Sequence, residues 1–107
     1  MNGHFRFRSL GSGSTGNATL VEAVNGAGKA WRLLVDAGFT LKKFEQRLAS
    51  ATALAPDALT GIFITHEHGD HIGCGLQIAD KYQGPIYMSH GTHHALGQPA
   101  LGKLLHL

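Results

Sequence analysis

The chain has 107 residues, 43% apolar content, 15% charged residues and a formal net charge of +2, which admits one domain with a modest core. No apolar run is long enough to cross a bilayer and no charged-then-apolar leader opens the chain, so we expect a cytoplasmic protein without a membrane partner. The mildly basic balance permits a polyanionic substrate, but no Lys/Arg block of the kind that grips nucleic acid unaided is present, and a lone cysteine, Cys74, excludes an internal disulfide.

From the N-terminus, HFRFRSL alternates Phe5 and Phe7 with Arg6 and Arg8, the period of a strand with one face covered. The glycine-rich GSGSTGN breaks it. ATLVEAV resumes an extended pattern, NGAGK supplies a hairpin turn, and AWRLLVDAG is the returning strand ending at Asp36. These three predict a meander. Thr40 is an N-cap candidate for LKKFEQRLAS, which spaces Leu41, Phe44 and Leu48 along one helical side. GIFIT reads as a short strand buried on both faces, IGCGLQIADKYQ as a helix, PIYMS as another strand, and the tail from Gly91 as one further helix.

Between GIFIT and that helix, THEHGDH places three histidines and an aspartate within six positions, 66 to 71. His66 and His68 stand two apart just past a strand end, so their rings can share a side, and Gly69 lets the backbone turn before Asp70 and His71. Imidazole suits zinc and similar borderline metals, and a carboxylate beside it favours a site that keeps a position open for water. Four ligand groups on one short loop exceed the need of one metal and suggest two adjacent ions, zinc or manganese. Such a pair can activate water and polarise the bond it attacks. Chance would give this pattern roughly 2 times in 1,000 chains of this composition, so the competing reading is a histidine-rich loop that binds metal adventitiously.

THEHGDH resembles the HxHxDH signature of the metallo-β-lactamase fold superfamily, in which the motif follows a buried strand and opens a helix. LLVDAG is similar to that superfamily's first conserved segment, and SLGSGSTGN to the strand-and-loop of its phosphodiesterase and nuclease-like branch. The resemblance implies an α/β fold, an αββα sandwich in the complete protein, of which residues 1–107 supply the N-terminal αβ half as part of a single domain. It implies His66 and His68 as ligands of a first divalent metal, Asp70 and His71 of a second, Asp70 as the group that also orients the attacking hydroxide, and Asp36 as a support behind the metal loop. The implied reaction is hydrolysis of a phosphodiester by metal-bound hydroxide, with single-stranded DNA or RNA as substrate; hydrolysis of a thioester or lactam on the same scaffold is the alternative.

Enzymes of this kind complete the site with a later histidine, a bridging aspartate and a last histidine. Only 36 residues follow His71 and no aspartate follows Asp80. The expectation is therefore a missing C-terminal half or self-association, with a catalytically silent metal-binding or assembly module as the reading from another class. GSGSTGN could line the substrate cleft through Ser12, Ser14 and Asn17, or serve only as a turn. Cys74 reads as a small buried hydrophobe. Asp36 needs a partner, because a carboxylate at the end of an apolar strand is costly to bury alone.

Overall fold

The computed structural model describes residues 3–11, 16–52, 54, 58–66, 68–82, 84–97 and 104–106. Alternation and the turn at NGAGK produce the expected antiparallel meander: β1 (His4–Gly11), β2 (Ala18–Val24) and β3 (Ala30–Val35). The hairpin loop spans more than the Asn-Gly pair. Asn25 Oδ1 accepts from the backbone N–H groups of Ala27 and Lys29, and the left-handed residue is Gly28, at φ 85°.

α1 (Leu41–Ala51) starts at Thr40, whose hydroxyl accepts from the Lys43 N–H, and buries Phe44 and Leu48 completely. It leads to β4 (Gly61–Phe63), which lies parallel to β3. The single helix expected over 72–83 is broken at Gly73 and Cys74 into α2 (Gly69–Ile72) and α3 (Gly75–Tyr82). β5 (Ile86–Met88) then pairs parallel to β4, α4 (His90–Ala95) follows, and β6 (Leu104–His106), which no sequence pattern announced, pairs parallel to β5.

The sheet order is β1-β2-β3-β4-β5-β6. Each parallel crossover steps in the same direction, and right-handed crossovers that do so deposit their helices on one face. That face is the core: Leu20, Leu34, Ile62, Ile64, Ile86 and Met88 pack with Phe44, Leu48 and Ile78. One sheet and one helix layer form the αβ unit the sequence suggested. Residues in register across the opposite face are Phe5, Phe7, Val21, Ala23, Trp31, Leu33, Val35, Phe63 and Tyr87. No described helix covers them.

Two expectations are thereby corrected. β1 has neither face covered from His4 to Ser9, with Phe5 and Phe7 65% and 70% exposed and Arg6 and Arg8 exposed on the other side. GIFIT is not buried on both faces: Ile62 and Ile64 are in the core, whereas Phe63 is half-buried on the open side. Among the described residues no helix is long and apolar enough to cross a membrane.

Candidate metal centre

Because β3, β4 and β5 run parallel, their C-terminal ends share one edge of the sheet, where ligands characteristically sit in open α/β sheets. Asp36 leaves β3 there, the histidine loop leaves β4, and Asn17 enters β2 beside them.

Asp36 organises this edge. It is buried and takes φ 62°, the only described non-glycine residue in the left-handed region. Its Oδ1 accepts the Thr65 backbone N–H at 2.7 Å, and its Oδ2 accepts the Thr65 hydroxyl at 2.6 Å. His71 Nδ1 lies 2.8 Å from the same Oδ2. The partner that a buried carboxylate requires is therefore Thr65 together with His71. Thr65 carried no sequence signal of its own, since a threonine at a strand end is ordinary.

Proton accounting through this network assigns the ring tautomers. An ionised carboxylate only accepts, so His71 Nδ1 carries a proton and donates to Asp36. The Thr65 hydroxyl has one proton and gives it to Asp36, which leaves its oxygen to accept from His66 Nδ1 at 3.0 Å. In the neutral form of either ring this places the proton on Nδ1 and makes Nε2 the nitrogen that binds a metal. The His66 and His71 ring centroids are 4.7 Å apart, and those of His66 and His68 are 6.1 Å apart. His66 and His68 are exposed, whereas the His71 side chain is 24% exposed.

The donor chemistry fits a divalent transition metal. The described rings stand pairwise near one another, yet no three His, Cys, Asp or Glu side chains among the described residues close into a group that holds an ion. Asp70 is described only through its backbone in α2, so its expected ligand and catalytic roles lie outside the described side chains. Ser12 and Ser14 lie outside the described residues.

Backbone bonds tie the loop to the segment 36–39. Asp36 N–H donates to Phe63 O, Ala37 N–H to His71 O, and Cys74 N–H to Ala37 O, all within 2.9 Å. Gly38 N–H donates to Asn17 O at 2.9 Å, which links the glycine-rich loop to the same hub. Gly73 sits at φ 35°, where a Cβ would fall 2.2 Å from Ala37 O, so the break between α2 and α3 depends on a residue without a side chain. On the other side, a Cβ at Gly16 would lie 2.5 Å from the Phe39 ring. Cys74 is fully buried and burial pushes its thiol up to about 11, so at neutral pH it is a packed thiol rather than a metal ligand.

Residues 11–106 match the family model of the metallo-beta-lactamase superfamily. The chain is similar to the exodeoxyribonuclease WalJ of Streptococcus pneumoniae serotype 2, with 39% identity over 102 residues that take in 94% of this chain and 35% of that protein. It is also similar to the exodeoxyribonuclease YycJ of Bacillus anthracis, with 42% identity over 91 residues, 84% of this chain and 32% of that protein. Among solved structures, a subclass B3 metallo-beta-lactamase from a soil metagenome library superposes with a TM-score of 0.68 at 16% identity, over 94% of this chain and 42% of that one, which is a likeness of fold. The chain thus spans about a third of the length of the curated relatives it matches.

Proposed function

The chain belongs to the metallo-beta-lactamase superfamily, and from that premise we propose that it forms the front portion of a divalent-metal hydrolase that cleaves phosphodiesters in single-stranded DNA or RNA. The observation that carries this reading is the Asp36–Thr65–His71 network, which engages Nδ1 of both His66 and His71 and so makes Nε2 the metal-binding nitrogen of each neutral ring. His66 and His68 hold one ion, and Asp70 and His71 a second, with zinc or manganese as the metal. When bound, the ions supply Lewis acidity and an activated water. Asp36 fixes the His71 ring and, through Thr65, the His66 ring, so neither has to reorganise as an ion arrives. Asp70 orients the attacking water, and Ser12, Ser14 and Asn17 line the path of the strand. The substrate class is supported by the two relatives named exodeoxyribonucleases.

The test uses the protein extended to the length of its relatives. With added Mn²⁺ or Zn²⁺ it should cleave a single-stranded oligonucleotide and leave a glutathione thioester nearly untouched. Asp70→Asn should lower that cleavage by at least about 100-fold, since it removes the charge that holds an ion and places water, while moving the urea midpoint little. A preference for the thioester, or parental cleavage by the Asp70→Asn protein under limiting metal, would overturn the reading.

A further inference from the structure

We propose that a cavity on the helix-covered side of β1, β2 and β3, apart from the metal loop, binds the phosphodiester backbone of a nucleic-acid strand through Arg6, Arg8 and Arg32. The cavity measures about 310 Å³ and is lined on one side by Ala51 at the end of α1, Thr52 and Leu54. Strand register builds it. Arg6 on β1 and Arg32 on β3 both stand opposite Glu22 on β2, and Arg8 follows two residues along on the same face.

Glu22 is the one carboxylate among the described residues lining the cavity, against three guanidiniums. Its side chain is only 7% exposed; Oε1 accepts Arg6 Nε and Nη2 at 2.6 Å, and Oε2 accepts Arg32 Nε at 2.6 Å. Each guanidinium has five N–H donors, so this clamp uses one edge of each and leaves Nη donors of Arg6 and Arg32 beyond those Glu22 takes. A buried carboxylate thus holds two forks in fixed planes, which reduces the freedom they lose on gripping an anion. The remaining wall from α1 and its exit is Ala51, Thr52 and Leu54, with no acidic group among the described residues there.

Arg32 precedes Asp36 by four residues along β3 and its exit, about 13 Å at 3.3 Å per residue. One strand with its scissile bond at the metal loop could reach the cavity about four stacked nucleotides away. The choice of phosphodiester over other anions rests on the proposed nuclease reading; the geometry of the arginines does not.

Binding of a fluorescein-labelled 15-mer of thymidylate, followed by anisotropy in EDTA at 50 and 200 mM KCl, separates the two. EDTA removes the metal loop's share, so cleavage with metal tests the catalytic reading and this titration tests the cavity. Arg8→Ala, at an exposed position, should bind about fivefold more weakly at 50 mM and lower the log–log salt slope by about 0.7. Glu22→Gln adds positive charge yet releases both forks, and should also weaken binding. Where that variant loses its circular dichroism signal, Arg32→Lys, which keeps the charge and loses the fork, should show the same loss. Unchanged affinity in Arg8→Ala, equal or tighter binding by folded Glu22→Gln or by Arg32→Lys, or equal competition by an oligo-glutamate of the same charge would overturn the proposal.

Discussion

Asp36 stands in the left-handed region, where a residue with a Cβ loses roughly 1–2 kcal/mol. Three hydrogen bonds to its carboxylate, from the Thr65 N–H, the Thr65 hydroxyl and His71 Nδ1, outweigh that loss, since bonds to a charged group contribute about 1.5–3 kcal/mol each. Asp36→Asn separates the two effects, because asparagine also tolerates positive φ and leaves the backbone cost nearly unchanged. Its amide would turn an N–H toward Thr65 or His71, neither of which can accept it without changing its own proton. The variant should therefore lose about 2 kcal/mol in urea denaturation and bind Zn²⁺ about 10- to 100-fold more weakly in competition with a chromophoric chelator. Parental values in both measurements would remove Asp36 from the metal loop. The sequence told that this carboxylate needs a partner. It could not tell which one, because Thr65 lies 29 residues away and meets Asp36 only once β3 and β4 are in register.

At the scale of elements, alternation located β1, β2 and β3, and the N-cap located α1, because those signals are local. The coverage of β1 was misread, since an Arg/Phe alternation looks the same whether Phe or Arg faces the layer of helices. Here the arginines take the inward side, where Glu22 on β2 receives Arg6 and Arg32. Hydrogen bonds from Arg32 and then Arg6 hold the Glu22 carboxyl below the usual glutamate range. A carboxyl whose pKa is lowered by folding contributes stability that is fully present above its unfolded value of about 4.3 and is lost as pH falls through the lower folded value. The urea midpoint of the parent should thus fall with acid below about pH 5, and Glu22→Gln should flatten that limb while starting from a lower plateau at pH 7. An acid limb of equal steepness in both proteins would place the titration elsewhere. The break between α2 and α3 is equally hidden: a glycine inside a helical pattern carries no local mark of a corner, and only the approach of the Ala37 carbonyl makes Gly73 one.

For the whole molecule, the run of consecutive parallel crossovers decides which surfaces are left open. Local patterns named the layers, whereas β6 escaped notice because LLH in a short polar-and-glycine tail has no period to read. With every described helix on one side, the other side of the sheet presents Phe5, Phe7 and Trp31 at 65%, 70% and 41% exposure, beside half-buried Leu33, Phe63 and Tyr87. Trp31, Leu33, Phe63 and Tyr87 also line an apolar hollow of about 280 Å³. A contiguous apolar face is more than a soluble monomer usually exposes, and sheets with such faces bury them by packing at about 10 Å from a second layer. The 107-residue chain by itself should therefore self-associate through this face. Light scattering should give a mass at least twice that of one chain at micromolar concentration, and Phe7→Lys combined with Trp31→Lys, which charges the face without touching the core, should return it to one chain. The same chain should hold metal weakly, because no aspartate follows Asp80 to bridge two ions. A parental chain that scatters as a monomer and takes up two ions with sub-micromolar affinity would show that neither the open face nor the partial donor set limits it.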